Sequence, residues 1–373
     1  AGGAGGAAIS PSTAEAEDTG AEVEIPQPKK LNRLFSKLTG KKPSQPRASV
    51  DTATPTTPAT PAGGESPSKR ESTPTPKTQP PASSKVSASD HPLMADGKEE
   101  EAAEFLEHVT DDVAGKSTDY DQFLANCRDD VDLLAGLVVM LATGDKKMQI
   151  YAATAICNLC IDDIETVKRL TDLEALAALI KLLRSPSRRV VASAAAAICN
   201  MCSYKPNREA LNRMGGIQEL HRALQSKSAD VRVQVTSALW GGVYDCAMNK
   251  AALGTEGILP DLVHLLKSKH IAVRGQAAGA LGNALVGNED NKLAIAGKSV
   301  STSLVNLIRE QDEVAQRQGV IAIANLAAKC KERQEVFRQA QAVDALKEVA
   351  KNGVAEDICK FAKVALSNLG VKV

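Results

Sequence analysis

Apolar residues in the second half of the chain recur at the spacing of an amphipathic α-helix. In one segment, Leu176, Leu179, Ile180 and Leu183 stand three, four and seven positions apart, which puts them on one helical face. Proline and glycine interrupt the pattern between such segments, for example at Pro186. The alternation typical of β-strands is missing from the sequence, and residues that favour helices dominate. The pattern predicts an all-α structure of short consecutive helices.

Two sequence features repeat through this half with a period of 41 to 43 residues. The first is a small-residue helix that ends in asparagine or, in one copy, glycine. Its aligned positions are Asn158, Asn200, Gly241, Asn283, Asn325 and Asn368. The second is an apolar pair that closes an earlier helix, with its second members at Leu141, Leu183, Leu224, Leu266, Ile308 and Ala350. Such a period marks a solenoid, in which each unit buries its apolar face against its neighbours. We count five full units and a truncated sixth from Ala342 to Val373.

The unit around Ile258 shows a family resemblance most fully. Its second helix reads Ile-Leu-Pro-Asp-Leu-Val-His-Leu-Leu, and Val273-Arg274 and Ala280-Leu281-Gly282-Asn283 follow. Residues from about 130 to 373 resemble armadillo repeats; HEAT repeats are the nearest alternative, but the period and the asparagine-ended third helix favour armadillo. The resemblance implies a right-handed superhelix of about six three-helix repeats. It also implies a concave groove lined by the third helices, in which members such as β-catenin, importin-α and the vacuolar armadillo proteins hold extended peptides.

The resemblance further implies which side chains face this groove. Residues three, four and seven apart share a helical face, and amide side chains can pair with both N–H and C=O groups of a peptide. The predicted groove residues are Tyr151, Asn158, Asn200, Tyr204, Gln234, Gln276, Asn283, Gln318, Asn325, Lys329 and Asn368, with Ser193 and Phe361 beside them. The alternative is that each asparagine caps or bonds the next turn of its own helix, so that its recurrence reflects only the fold.

Departures from the family pattern narrow the partner class. Importin-α carries tryptophan four residues before the asparagine, where it sandwiches a lysine side chain. The corresponding positions here are Thr154, Ala196, Ser237, Gly279, Ile321 and Val364, none of them aromatic. This absence argues against a carrier of nuclear signals. The predicted groove is also more neutral than that of β-catenin, with Lys329 and at most Arg274 and Arg317 as its basic residues.

Gly241-Gly242 replaces the asparagine phrase in the third unit. Glycine inside a helix costs about 1 kcal/mol relative to alanine. Either this unit has drifted from the consensus, or the glycines allow close approach of a ligand or a bend of the helix.

Composition divides the chain into two parts. Residues 1–98 contain 14 of the 17 prolines and no apolar run long enough for a core, which predicts disorder. Residues 99–130 are predicted to form two helices, Glu99–Val109 and Asp119–Asn126, that cap the N-terminal end of the stack. Residues 131–373 are the predicted armadillo-repeat domain.

One segment of the N-terminal part, residues 29–42, has the pattern of a short basic amphipathic helix. Its apolar stripe and surrounding cations are Leu31, Leu34, Phe35 and Leu38, and Lys29, Lys30, Arg33, Lys37, Lys41 and Lys42. Such a helix can lie weakly on an anionic membrane or bind a partner. A nuclear-type basic cluster and a solvated segment are the alternatives.

The cysteine pairs Cys157/Cys160 and Cys199/Cys202 have the spacing of metal ligands. They occupy equivalent positions of two repeats, and stacked helices lie about 8–10 Å apart, so we interpret them as buried small residues rather than a metal or redox site. The sequence contains no phosphate-binding glycine motif and no catalytic constellation. We therefore expect no enzymatic activity, cofactor, metal or small-molecule substrate.

The net charge is zero, which gives no reason to expect nucleic acid as a partner. Eight cysteines without a recognisable secretory signal favour a reducing compartment. The sequence thus predicts a non-catalytic scaffold that binds a protein or peptide in its groove. The expected location is the cytoplasm, with a nuclear location left open. The alternative is a scaffold tethered peripherally to a membrane through residues 29–42.

Overall fold

The computed structural model describes residues 117–372. The N-terminal region predicted as disordered, the segment 29–42 and the predicted helix Glu99–Val109 lie outside these residues. Within the described range the regular secondary structure consists of 18 α-helices, without a strand, which confirms the predicted all-α class. None of the helices in this range is long and apolar enough to cross a membrane.

The helices form six consecutive units of three. The first unit contains α1 (Ser117–Asp129), α2 (Val131–Thr143) and α3 (Lys146–Leu159); the second contains α4 (Ile164–Asp172), α5 (Ala175–Leu182) and α6 (Arg188–Met201); the third contains α7 (Lys205–Arg213), α8 (Gly216–Leu224) and α9 (Ala229–Val243). The fourth contains α10 (Ala247–Thr255), α11 (Ile258–Leu265) and α12 (Ile271–Leu285); the fifth contains α13 (Glu289–Ile295), α14 (Lys298–Ile308) and α15 (Glu313–Ala327); the sixth contains α16 (Lys331–Gln339), α17 (Ala342–Asn352) and α18 (Glu356–Asn368).

Both repeating features fall where the sequence placed them. The apolar pairs lie at or near the ends of the second helices, and the aligned asparagines lie in the last turn of the third helices. The sixth unit, predicted to be truncated, is complete, because the short polar helix α16 precedes α17. The predicted capping helix Asp119–Asn126 is present within α1, which takes the place of a first helix in the first unit.

The third helices α3, α6, α9, α12, α15 and α18 stack directly on one another along the whole molecule. Small side chains permit this close approach: Ala194, Ala238 and Ala280 are fully buried at the contacts. Second helices of neighbouring units touch much less extensively. A stack whose third helices lie closest together curves toward them, so they form the inner, concave layer of an armadillo superhelix.

Left-handed backbone recurs at two places in the repeat and turns the chain between helices. Asp162, Asp245, Gly287 and Lys329 adopt positive φ after the third helix, and Glu174, Gly215, Gly257 and Gln341 adopt it before the second helix. A non-glycine residue in this region costs about 1–2 kcal/mol. Packing of the units on both sides of each turn offsets this cost, and the same turn is therefore kept with different residues.

Candidate partner-binding surface of the third helices

The recurring asparagines connect neighbouring third helices. The side-chain nitrogen Nδ2 of Asn200 donates to the carbonyl oxygen of Cys157 at 2.7 Å. Three further bonds repeat this geometry: Asn283 to Trp240 at 3.0 Å, Asn325 to Gly282 at 3.2 Å, and Asn368 to Ala324 at 3.0 Å. Each acceptor is the residue just before the aligned position in the preceding unit. We call the set Asn158, Asn200, Asn283, Asn325 and Asn368 the asparagine ladder.

The ladder supplies donors to backbone carbonyls in the last turn of each preceding third helix; the carbonyl of Ala324 also accepts from the N–H of Ala328. The last carbonyls of an α-helix lack partners within the helix, and a buried carbonyl without a hydrogen bond is costly. Asn283, Asn325 and Asn368 are almost completely buried, with at most 4% of their surface exposed. Their amide N–H groups thus serve the contact between units, an arrangement that differs from the cap within one helix considered as the alternative. Contact of these amides with a peptide stays a prediction.

The first member of the ladder binds the N-terminal helix instead of a preceding repeat. Nδ2 of Asn158 donates to the hydroxyl oxygen of Tyr120 in α1 at 3.0 Å. Burial raises the pKa of Tyr120 to about 12, so the hydroxyl stays protonated at neutral pH. This bond fixes α1 against the first third helix, as expected for an element that caps the stack.

Gly241 interrupts the ladder. A Cβ atom at this position would lie 3.2 Å from the carbonyl oxygen and 3.4 Å from the Sγ atom of Cys199. The missing side chain lets α9 approach α6 closely. Among the described residues, the atoms nearest to this glycine belong to α6 and to Cys202 at its end. This contact gives the glycine a packing role that neither interpretation named, and approach of a ligand to the Gly-Gly sequence stays a prediction.

Two predicted groove glutamines are also buried between third helices. Oε1 of Gln276 accepts a hydrogen bond of 3.0 Å from the hydroxyl of Ser237. The side chain of Gln318 packs over Gly279, where an added Cβ would lie 3.1 Å from its Cδ atom. Oε1 of Gln318 is buried and forms no hydrogen bond with the described residues. Both glutamines belong to the interior of the stack.

The side chains that this surface offers to a partner are a smaller set. Tyr151, Tyr204 and Gln234 are partly exposed, and none of their side-chain polar groups forms a hydrogen bond with a described residue. Asn158, Ser193 and Phe361 are partly exposed as well, and Lys329 is exposed in its left-handed turn. The accessible surface is thus neutral and partly aromatic in the first three units.

The two arginines suggested for the groove are held by acidic partners. Arg274 forms an ion pair with Glu310, and Arg317 forms ion pairs with Glu313 at 2.8 Å and Asp357 at 2.9 Å. Burial alone would raise the pKa of Asp357, but the hydrogen bonds and charge of Arg317 outweigh it and lower that pKa. These paired arginines add little positive charge to the concave surface, which agrees with its predicted neutrality.

The cysteine pairs lie in the third-helix layer. Cys160, Cys199 and Cys202 are buried, and Cys157 is partly exposed. Burial raises the pKa of Cys202 to about 12 and that of Cys199 well above its usual range, so both remain neutral thiols. Within residues 117–372, no three His, Cys, Asp or Glu side chains come together in a way that could hold a metal ion.

A third repeating feature, a set of buried polar residues on the first helices, was missed by the sequence analysis. Eight residues after each aligned position in four units stand Arg208, Asn249, Asn291 and Arg333, all buried on first helices. They donate to the ends of the third helices: Arg208 to Cys202 at 2.7 Å, Asn249 to Gly242 at 2.7 Å, Asn291 to Ala284 at 3.0 Å and Arg333 to Leu326 at 2.7 Å. The shared repeat spacing of these polar residues was the available signal, although the residue type changes from arginine to asparagine and back.

Comparison with known proteins agrees with this architecture. The family model of the armadillo/β-catenin-like repeat matches residues 165–203 and 246–286. An engineered protein of known crystal structure shares 26% sequence identity at a TM-score of 0.59, covering 64% of this chain and 96% of its own. A designed armadillo repeat protein shares 26% identity at a TM-score of 0.58, covering 63% of this chain and 99% of its own.

A further designed armadillo repeat protein was solved in complex with the peptide (KR)4. It shares 25% identity at a TM-score of 0.56, covering 63% of this chain and 99% of its own. No curated protein sequence matches the chain. The matched repeats, the similar solved structures and the six stacked three-helix units show that the chain contains armadillo repeats and that its described residues have the armadillo-repeat fold.

Proposed function

We propose that this protein is a non-catalytic scaffold that holds an extended peptide segment of a partner protein on the concave surface of its third helices. The observation that carries the proposal is the set Tyr151, Tyr204 and Gln234. These side chains lie on or directly after successive third helices, remain partly exposed, and have polar groups without hydrogen-bond partners among the described residues. A peptide that passes along this row supplies those partners.

The spacing of the units suits an extended chain. Packed helices lie about 8–10 Å apart, and an extended peptide advances about 3.3 Å per residue. Each unit therefore faces two or three peptide residues, and one side chain per unit can bond a peptide backbone group at a regular interval. Tyrosine also adds apolar contact area at a low cost in side-chain entropy.

The peptide complex of a similar designed protein supports a peptide as the ligand. That protein was solved with the peptide (KR)4. The accessible groove residues here are the neutral Tyr151, Tyr204, Gln234 and Asn158 and the basic Lys329, which give no attraction for a strongly basic peptide. We therefore expect a partner peptide that is not rich in lysine and arginine.

A variant that spares the ladders gives the sharpest test. Tyr151→Ala, Tyr204→Ala and Gln234→Ala combined remove the proposed contacts and leave every asparagine bond in place. The matched control combines Met248→Ala, Leu293→Ala and Gln339→Ala, three exposed positions on first helices. Both variants are first compared with the unaltered chain by circular dichroism and thermal unfolding.

Partners are then captured from cells, and peptides from each captured partner are titrated against the purified proteins. The proposal expects that at least one peptide loses about tenfold or more in affinity in the groove variant and keeps its affinity in the control. Equal affinity for all three proteins would show that partners bind elsewhere.

A further inference from the structure

A second surface, which is charged, follows one edge of the solenoid, where the loops connect second to third helices. In the first, second and fourth units this edge carries exposed basic side chains, namely Lys146, Lys147, Arg188, Arg189, Lys267 and Lys269, which we call the basic edge. None of the six forms an ion pair or side-chain hydrogen bond with a described residue. The carboxylate of Asp145, which caps α3 directly before Lys146, lies on the same edge, so the six cations are unpaired but not isolated from negative charge.

The placement of four of these charges is unfavourable for the helices that carry them. Lys146 and Lys147 are the first two residues of α3, and Arg188 and Arg189 are the first two of α6. The N-terminal end of a helix carries partial positive charge, and cations there destabilise the helix. Helix stability thus gives no account of these residues, whereas an anionic partner would be attracted by both the side chains and the helix ends.

Two surface clefts open on the same edge. The larger, of about 830 Å³, lies between the first and second units and is lined by Lys147, Lys181 and Arg184 together with the acidic Asp145; Arg184 is paired with Glu219. The smaller, of about 260 Å³, lies between the third and fourth units and is lined by Arg232, Lys267 and Lys269. The clefts give acidic side chains places to enter between cations.

The edge changes character toward the C-terminal end. In the fifth and sixth units the corresponding loops and helix starts contain Glu310, Asp312, Glu313, Glu356 and Asp357. All of these except Asp312 are in ion pairs, with Arg274, Arg317 or Lys360, so their charges are largely compensated. The last two units thus lack the unpaired cations of the basic edge, and an acidic segment is attracted mainly to the first, second and fourth units.

The surroundings favour an acidic protein segment over a membrane or a nucleic acid. The large exposed apolar side chains of the described residues are Val131, Met214, Met248, Leu293 and Val354, and none lies in these loops of the first four units. The basic edge thus lacks a side chain that could insert into a lipid bilayer. The same loops contain no phenylalanine, tyrosine or tryptophan on which a base could stack, and His270 of the fourth unit is their one aromatic ring.

We propose that the basic edge binds an extended, aspartate- and glutamate-rich segment of a partner protein, separately from the concave surface. Four stacked units span roughly 24–30 Å between their first and last members, which corresponds to about eight to ten extended residues. A decamer of alternating aspartate and glutamate is therefore a suitable probe.

The test titrates this fluorescent acidic decamer with the full chain and two quadruple variants. The first variant combines K146Q, K147Q, R188Q and R189Q. The second combines K298Q, K331Q, K347Q and K363Q, four exposed lysines away from the basic edge. Both variants lose the same charge, so a general charge effect weakens both equally. Both also retain residues 29–42, so binding of the decamer by that segment leaves both with the affinity of the unaltered chain, and this result too overturns the proposal.

We expect the first variant to lose about tenfold in affinity and the second less than about twofold, because exposed ion pairs are individually weak but act together here. The Tyr151, Tyr204 and Gln234 variant is expected to bind the decamer normally, which separates this proposal from that for the groove. Equal loss in both quadruple variants overturns the proposal. It is also overturned if vesicles containing phosphatidylserine, or a single-stranded uridine oligonucleotide, bind the basic edge more tightly than the decamer does.

Discussion

The amide nitrogen of Asn200 donates a 2.7 Å hydrogen bond to the carbonyl oxygen of Cys157, 43 residues earlier and one unit back along the stack. The same amide also lies 3.3 Å from the Sγ atom of Cys157. An asparagine at this position therefore holds two third helices in register. Its recurrence follows from the need to satisfy the end of each preceding helix, whether or not a peptide is bound.

Replacing a buried member of the asparagine ladder should destabilise the domain. Asn283→Ala leaves the carbonyl of Trp240 without its side-chain donor and creates a small cavity, so we expect a loss of about 1–3 kcal/mol in the free energy of unfolding. Urea unfolding followed by circular dichroism measures it. Asn306→Ala is the matched control, because Asn306 is exposed on α14 and should change stability by less than about 0.5 kcal/mol. Similar stability of the two variants would contradict a clamping role.

Glu289 should make part of the stability dependent on pH. It accepts hydrogen bonds from the buried Lys292 at 2.7 Å and from Arg333 of the next unit at 3.0 Å. The hydrogen bond from Lys292 is the main cause that lowers the pKa of Glu289 below 4.5, against the opposing effect of burial. A carboxyl with a lowered pKa stabilises the fold fully above its unfolded pKa, and this contribution disappears as the pH falls through the folded pKa.

Glu289→Gln should therefore lower the urea midpoint at pH 7 and flatten its decline between about pH 5 and pH 3. Near pH 3 the variant and the unaltered chain should approach each other. Glu335→Gln removes an exposed ion pair with Arg338 and serves as the control, with an expected change below about 1 kcal/mol. A midpoint difference for Glu289→Gln that stays constant over this pH range would disprove the linkage.

The cysteines should differ in reactivity as their burial differs. Burial raises the pKa of both Cys127 and Cys202 to about 12 and that of Cys160 well above its usual range, whereas Cys330 and Cys359 are partly exposed. Only thiolates react, so Ellman's reagent at pH 8 should modify these two partly exposed thiols rapidly and the five buried ones only after addition of urea. Cys157 is partly exposed, but burial raises the pKa of its thiol to about 12, so it should also react slowly. Cys330→Ser should remove one equivalent from the fast phase. Rapid reaction of all eight thiols would contradict the buried packing of the Cys-x-x-Cys pairs.

The sequence located the repeating positions well because periodicity records which residues are buried between units. It could not show that the amide of Asn325 turns toward Gly282, since the rotation of one unit against the next depends on packing far along the chain. The first helix of the sixth unit was missed for a related reason. Lys331–Gln339 is strongly polar, and Phe337 is the one apolar side chain that it buries fully. The buried Arg333 also counts as surface in any pattern of apolar residues, although its guanidinium binds helix ends.

Two glycines of the third helices should respond oppositely to the same substitution. An alanine Cβ at Gly282 would find its nearest neighbour, Cγ2 of Ile321, at 3.7 Å, an ordinary contact. Gly282→Ala should therefore stabilise the domain by roughly 0.5–1 kcal/mol through its higher helix propensity. At Gly241 the new Cβ would lie 3.2 Å from the carbonyl oxygen of Cys199, and α6 and α9 would have to separate.

The cost of this separation should cancel or exceed the gain in helix propensity. The free energy of unfolding of Gly241→Ala should therefore be lower than that of Gly282→Ala by about 1 kcal/mol or more, and that of Gly241→Leu should be lower still. Thermal unfolding of the three variants gives the comparison. If Gly241→Ala were stabilised as much as Gly282→Ala, the absence of an asparagine in the third unit would reflect sequence drift. The expected order of stabilities, with Gly282→Ala above Gly241→Ala and Gly241→Leu lowest, would instead show that the close contact of α6 with α9 requires glycine at this break in the asparagine ladder.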